Sequence, residues 1–146
     1  MDKVKVFCPN CGSVNTFPLA AEDKKVLCGR CKSRLPRPGE VLEPGPAGLQ
    51  NALANGSLPV LVDFYSTSCA PCHLMHPIVE RLARRHRGEL LVVKANVEVH
   101  SGLASQLKIQ AVPTFVVFSK GYEMGRTSGA MSETDFSLWV ANTARA

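Results

Sequence analysis

Apolar runs and amphipathic stretches alternate along residues 47–146. Leu58–Tyr65 and Leu90–Val97 are nearly continuous apolar runs, the pattern of strands that are covered on both faces of a sheet. Between them, Pro71–His86 carries apolar residues at helical spacing, and Pro77 predicts a kink in that helix. The same patterns predict three more helices and two more strands: helices near Ala47–Asn55, Ser101–Leu107 and Ser132–Thr143, and strands at Thr114–Ser119 and Glu123–Ser128. Strands that alternate with helices and end in a hairpin predict an α/β fold with a mixed sheet.

The composition of the chain changes just before this region. Residues 36–48 are rich in proline and glycine and show little periodicity, which indicates a linker or boundary. The unit in front of it is too short to bury an adequate core unaided, and such units usually depend on a metal or on disulfides. We therefore predict a small unit at residues 1–36, a linker at 37–46 and an α/β domain at 47–146.

The bulk composition is that of an ordinary globular protein, with 45% hydrophobic residues, 20% charged residues and a net charge of +5. The first residues lack the apolar stretch of a signal peptide, and no apolar run approaches the ~20 residues that cross a bilayer. We therefore expect a cytoplasmic protein without membrane contact. The basic residues between Arg81 and Arg87 fall along a predicted helix, so we interpret them as a solvated face and do not expect nucleic acid as a partner.

All six cysteines belong to Cys-x-x-Cys pairs, a spacing that serves both metal binding and dithiol–disulfide exchange. Two pairs, Cys8/Cys11 and Cys28/Cys31, are separated by 16 residues, which is within the interval of a four-thiolate zinc site. Zinc with four thiolate ligands has no open coordination position, so we expect a structural Zn²⁺ ion. An iron centre, two disulfides or four free thiols are the alternatives.

The third pair, Cys69/Cys72, stands alone at the junction between a predicted strand and a predicted helix. A helix N-terminus stabilises a thiolate at Cys69, and Cys72 follows one turn later, within reach as a resolving thiol. Pro71 suits the first helical turn, where its missing N–H costs nothing. His73 also completes the haem-attachment pattern Cys-x-x-Cys-His, but attachment needs export and the sequence shows no export signal. The pattern favours a reactive dithiol.

The order of motifs from residue 47 to the end resembles the thioredoxin family. The residues that carry this resemblance are Val62-Asp63-Phe64-Tyr65, Cys69-Ala70-Pro71-Cys72, Pro77, Lys94, Val112-Pro113-Thr114, Gly121 and Ser128-Gly129-Ala130. With the two leading cysteine pairs, the whole chain resembles the zinc-ribbon type of bacterial thioredoxin, the thioredoxin 2 type. The resemblance implies a thioredoxin fold with a five-stranded sheet and four helices, preceded by a zinc ribbon at residues 1–36.

The resemblance also implies roles for the residues around the dithiol. Cys69 corresponds to the nucleophile, Cys72 to the resolving thiol, and Asp63 to a buried base that helps to deprotonate Cys72. An aspartate inside an apolar strand is desolvated, so its pKa should rise toward a range that suits a base. Lys94, in the neighbouring apolar run, is its natural charge partner. A buried ion pair of Asp63 and Lys94 without a chemical role is the alternative.

The substrate side of the site follows from the same resemblance. Pro113 corresponds to a cis-proline that faces the disulfide, with an ordinary trans-proline at a strand edge as the alternative. Val112, Gly129 and Ala130 would form, with Pro71, an apolar rim on which an extended substrate docks.

These expectations combine into a cytoplasmic protein-disulfide reductase with a structural or regulatory zinc site and no organic cofactor of its own. Its substrates would be proteins that contain disulfides. Its own disulfide would be reduced by thioredoxin reductase, which holds the flavin and uses NADPH. The alternative is a non-enzymatic zinc-ribbon adaptor or holdase, in which the thioredoxin-like domain serves as a docking surface.

Overall fold

The computed structural model describes residues 3–21, 24–55 and 58–145. In chain order the elements are β1 (Lys3–Phe7), β2 (Val14–Pro18), a 3₁₀ turn (Leu19–Ala21), α1 (Pro46–Asn55), β3 (Val60–Tyr65), α2 (Ala70–Arg85), β4 (Leu91–Asn96), α3 (Ser101–Gln106), β5 (Thr114–Ser119), β6 (Tyr122–Ser128) and α4 (Glu133–Arg145). Every helix and strand predicted for residues 47–146 is present, with ends that differ by at most two residues. No helix in the described ranges is long and apolar enough to cross a membrane.

The main sheet has the strand order β4-β3-β5-β6 and is mixed, because β3 runs parallel to β4 and antiparallel to β5. The described residues place four strands in this sheet, so the expected five-strand count is wrong. The fifth position is a single bridge between Leu42 and Val93, in which Leu42 N donates to Val92 O at 3.0 Å. Pro44 lacks the N–H that would extend the pairing on one side, and on the other side Glu40 N donates to Arg37 O in a turn. The predicted 37–46 linker thus contributes one buried residue to the sheet.

Strand β3 lies in the centre and is buried at every residue, which explains its continuous apolar run. Because side chains alternate along a strand, Val60, Val62 and Phe64 share one face and pack with Leu49 of α1. Leu61 points to the other face and packs with Val79 of α2. Asp63 and Tyr65 share the face of Leu61 by the same alternation. The aspartate therefore lies on the side of the sheet that α2 covers.

Residues 3–21 and 24–35 form a ribbon of two knuckles, each closed by a turn around one cysteine pair. Cys8 N donates to Ser13 O, and Cys28 N donates to Ser33 O, at 2.9 and 2.8 Å. The core of the ribbon is small and contains Val4, Val6, Cys8, Cys28 and Leu35. Phe7 leaves this core and packs instead among Leu42 and Leu49 of the α/β domain, with 1% of its surface exposed. The ribbon is therefore fixed to the domain by a shared apolar contact.

Candidate active site and metal centre

Cys69 and Cys72 form a disulfide at the N-terminus of α2, with their Cα atoms 5.3 Å apart. Cys69 is the N-cap residue, and its sulfur accepts the backbone N–H of Cys72 at 3.2 Å. Cys72 is completely buried, whereas Cys69 is half-buried. An N–H donor and the positive end of the helix dipole both favour a thiolate at the N-cap. The geometry therefore makes Cys69 the accessible and anion-stabilised sulfur of the pair.

The loop before β5 lies opposite the disulfide. The Val112–Pro113 peptide is cis, and the carbonyl oxygen of Val112 lies 3.6 Å from the Cys69 sulfur. Gly129 N donates to Pro113 O at 2.9 Å and so joins this loop to the end of β6. Ala130 follows it and is exposed. Of the four residues for which the sequence predicted a rim, Pro71 and Ala130 are exposed, and Val112 and Gly129 are half-buried.

Asp63 lies inside the sheet, with 1% of its surface exposed. Neither carboxylate oxygen has a hydrogen-bond partner among the described residues. Burial raises the pKa of Asp63 to about 7, with the positive charge of Lys94 opposing the shift and the negative charge of Glu43 adding to it. Lys94 occupies the register position beside Asp63 on β4.

Three residues near Asp63 make contacts that the sequence did not predict. The Tyr65 hydroxyl donates to the Glu43 carboxylate, and Lys94 Nζ lies 4.6 Å from the centroid of the Tyr65 ring. The His76 ring packs edge-on against Tyr65 at 5.7 Å, and its Nε2 is buried without a partner in the described ranges. Burial lowers the pKa of His76, and the charge of Lys94 lowers it further. No spacing rule connects Glu43 to Tyr65, so only the fold could reveal this cluster.

The four ribbon cysteines converge on one point, and their sulfur atoms all lie within 4.8 Å of one another. Cys8 Sγ and Cys31 Sγ are 3.6 Å apart, as are Cys11 Sγ and Cys28 Sγ. A tetrahedral zinc site with Zn–S bonds of about 2.3 Å has sulfur–sulfur edges of about 3.8 Å. All four thiols are free, so the ribbon contains no disulfide between them. The donor set and its spacing fit a closed four-thiolate site.

Polar groups favour the thiolate form of Cys28 and Cys31, whereas burial raises the pKa of Cys8 to about 11. Arg30 N donates to Cys28 Sγ at 3.4 Å, and Asn10 Nδ2 donates to Cys31 Sγ at 3.4 Å. The Ser13 hydroxyl lies 3.2 Å from Cys28 Sγ, and this contact is the largest of several that lower the pKa of Cys28 to about 5. Such outer contacts orient the ligands of a metal site and neutralise part of their charge.

The disulfide lies at the N-terminus of α2, beside a mixed sheet, and its first sulfur is accessible while its second is buried. These features define a thiol–disulfide oxidoreductase. The comparisons with known proteins agree with this class. The family model described as thioredoxin matches residues 40–142, which is more than half of the chain. The chain belongs to the thioredoxin family.

Individual relatives show how far the similarity extends. The chain is 29% identical to thioredoxin C-3 of Corynebacterium nephridii over 138 residues, which covers 92% of both proteins. It is 33% identical to a thioredoxin of Synechocystis over 88 residues, or 60% of this chain and 82% of that protein. The solved structure of a mutant thioredoxin from Halobacterium salinarum superposes with a TM-score of 0.65 at 30% identity, covering 73% of this chain and 93% of that one.

Proposed function

We propose that the chain is a protein-disulfide reductase of the zinc-ribbon thioredoxin 2 type. The observation that carries the proposal is the position of Cys69, whose half-buried sulfur caps α2 and accepts an N–H from Cys72. The match to thioredoxin C-3 over 92% of the chain also supports this type, since an alignment of that extent includes most of the ribbon.

The reaction follows from the two sulfurs. The Cys69 thiolate attacks one sulfur of a substrate disulfide, a mixed disulfide forms, and one substrate thiolate leaves. Cys72 then loses its proton and attacks the Cys69 sulfur, which releases the second substrate thiolate and forms the Cys69–Cys72 disulfide. The substrate gains two electrons and the protein loses two. A dithiol donor restores the reduced protein, and thioredoxin reductase is the partner that we propose.

We assign Asp63 as the base that takes the proton from Cys72. A carboxyl group with a pKa of about 7 divides between its two protonation states at neutral pH, which suits transfer of a proton in both directions. Its place on the α2-facing side of β3 directs it toward the layer that contains Cys72. Lys94 is proposed as a partner that favours the charged form of Asp63, since its charge lowers the pKa.

Substrate docking is assigned to the rim around Cys69. The carbonyl oxygen of Val112 lies 3.6 Å from the reactive sulfur and would accept a hydrogen bond from an extended peptide. Pro71, Gly129 and Ala130 would give this rim a flat, uncharged surface, and Pro113 would hold Val112 in place. An extended segment around a substrate disulfide is the ligand that such a surface fits.

The four ribbon cysteines, Cys8, Cys11, Cys28 and Cys31, would hold one Zn²⁺ ion. A closed four-thiolate site supplies stability rather than a reactive position, so the ion would fix the two knuckles of a ribbon that has a very small core. Thiolates hold zinc only while they stay reduced, which is consistent with our proposal of a cytoplasmic location.

Turnover of insulin disulfides with dithiothreitol as the reductant tests the proposed function. The wild-type chain should accelerate reduction, and Cys69→Ser should abolish the acceleration, because it removes the attacking sulfur. Ser105→Ala, at an exposed position of α3 away from both cysteine sites, is the control and should leave turnover near the wild-type rate. Equal turnover by wild type and Cys69→Ser would instead favour a zinc-ribbon adaptor or holdase.

A further inference from the structure

We propose that Glu43 and Tyr65 form a positioning pair that holds Lys94 away from Asp63 and thereby sets the pH at which Asp63 gives up its proton. The inference rests on the proposed role of Asp63 as the base for Cys72. It assigns Glu43 and Tyr65 as positioning residues, because neither contacts the sulfur atoms that react.

The groups concerned form a polar layer between the sheet and α2. Asp63 and Tyr65 project from β3 on the same face, and Lys94 comes from the neighbouring strand β4. His76 faces this layer from α2, and Glu43 enters it from the segment that follows the Leu42 bridge. Glu80 of α2 lines the cavity that opens beside the layer.

In this layer Glu43 and Lys94 both contact Tyr65, whereas Asp63 contacts neither of them through a hydrogen bond in the described structure. Tyr65 uses its hydroxyl to hold Glu43 and its ring to hold Lys94, whose Nζ lies 4.6 Å from the ring centroid. A cation over an aromatic face is stabilised by the ring electrons. Asp63 has the greatest need of a partner, since it is buried, and it has none in the part of the chain that the structure describes. The lysine beside it in register is engaged by Tyr65.

Space is available for Lys94 to move. A cavity of about 510 Å³ lies between α2 and the segment around Glu43, and its lining includes Lys94, His76 and Glu43. The long, flexible side chain of a lysine adjusts easily within such a cavity. Its position is therefore decided by the charges that compete for it rather than by tight packing.

Loss of the Glu43 charge should favour the charged form of Asp63 for two reasons. It removes a negative charge that disfavours the Asp63 carboxylate, and it leaves Asp63 as the nearby anion toward which Lys94 can turn. Both changes favour the charged form of Asp63. The proton of Asp63 should then be lost at lower pH.

A carbon-13 NMR titration of the Asp63 carboxyl group in the oxidised protein measures this directly, since Cys69 and Cys72 do not titrate in the disulfide form. We expect Glu43→Gln to lower the midpoint by about 0.5 pH unit, the size expected for one charge across partly solvated space. Glu40→Gln is the matched control: Glu40 lines the same cavity but makes no hydrogen bond to Tyr65 in the described structure. Its effect should be less than half as large.

A double-mutant cycle tests whether Glu43 acts through Lys94. In a Lys94→Met background, Glu43→Gln should shift the midpoint by no more than half of its effect in the wild-type background. The proposal is overturned if Glu43→Gln and Glu40→Gln give equal shifts, or if the effect of Glu43→Gln is undiminished without Lys94. Either result would mean that Glu43 affects Asp63 no more specifically than any other nearby surface charge.

Failure of the proposed base is distinguishable from failure of this inference. Asp63→Asn should slow resolution of the mixed disulfide at neutral pH at least tenfold if Asp63 is the base for Cys72. An unchanged rate would contradict the role of Asp63, whereas the titration would still report whether Glu43 and Lys94 govern its proton. If both proposals hold, the pH at which the resolution rate falls off on the acid side should be lowered in Glu43→Gln by the same amount as the Asp63 midpoint.

Discussion

At the scale of single residues, Asp63 is the position at which the proposed chemistry and the stability of the fold oppose each other. A carboxyl group that is buried without a hydrogen-bond partner raises the free energy of the folded state whenever it is charged. The same burial moves its pKa to about 7, where it is useful as a base. Functional sites commonly retain groups of this kind at a cost in stability.

The pH dependence of unfolding should show this cost. Between an ordinary aspartate pKa of 3.8 and the folded value of about 7, the folded state keeps a proton that the unfolded state loses. Stability therefore falls as pH rises through this window, by roughly 2–4 kcal/mol from pH 4 to pH 8. Asp63→Asn should remove most of the decline and make the oxidised protein more stable than wild type at pH 8.

Urea unfolding of the oxidised protein at pH 4.5 and pH 8 provides the measurement. Asp135→Asn, on an exposed turn of α4, is the matched control and should keep the slope of the wild type. If Asp63→Asn also kept the wild-type slope, the proton on Asp63 would not be linked to folding.

At the scale of elements, the sequence predicts where helices and strands begin and end, but not which distant segments pair with one another. The ends of α2 and β3 follow from apolar spacing and from a proline in the first helical turn, which are local features. The single bridge at Leu42 depends on a strand about fifty residues away and lies in a stretch that reads as a linker. The Tyr65–Glu43 contact is missed for the same reason, since it joins elements that no sequence period relates.

Gly12 tests the contact between the ribbon and α1. Its φ is +81°, and a Cβ atom there would lie 2.6 Å from the Cβ of Asn51. Gly12→Ala should therefore destabilise the protein by about 1–3 kcal/mol, through backbone strain and the displacement of α1. Gly45→Ala is the control, because beyond its chain neighbours no atom of the described residues lies within 4 Å of the added Cβ, and its φ is not positive. Chemical unfolding at neutral pH compares the two variants. Equal unfolding midpoints would show that Gly12 is not in close contact with Asn51 of α1.

At the scale of the whole molecule, the ribbon and the α/β domain are joined by shared packing. Phe7 precedes the first ribbon cysteine and is buried in the core of the domain beside Leu42. The six cysteines predicted the division into a ribbon and a redox domain, because the paired spacings are local. Their sequence context does not reveal that Phe7 is buried in the domain, since an apolar residue in a short strand serves either core equally well.

Loss of the metal should therefore lower the stability of the α/β domain as well as that of the ribbon. Cys8→Ser should reduce bound zinc from one ion per chain to none and lower the melting temperature, since a structural site contributes several kcal/mol to folding. Cys72→Ser, the same substitution in the redox pair, should retain the zinc. Elemental analysis with thermal unfolding of both variants tests this, and full zinc in Cys8→Ser would contradict a four-thiolate site.

The central claim is that Cys69 attacks and Cys72 resolves, and trapping of the mixed disulfide tests it most directly. Reduced Cys72→Ser, mixed with a protein that contains one disulfide, should accumulate a covalent adduct through Cys69 that mass spectrometry detects. Reduced Cys69→Ser should form little or none, because the buried Cys72 sulfur is inaccessible to a substrate. Equal adduct from both variants, or adduct from Cys69→Ser alone, would contradict the account.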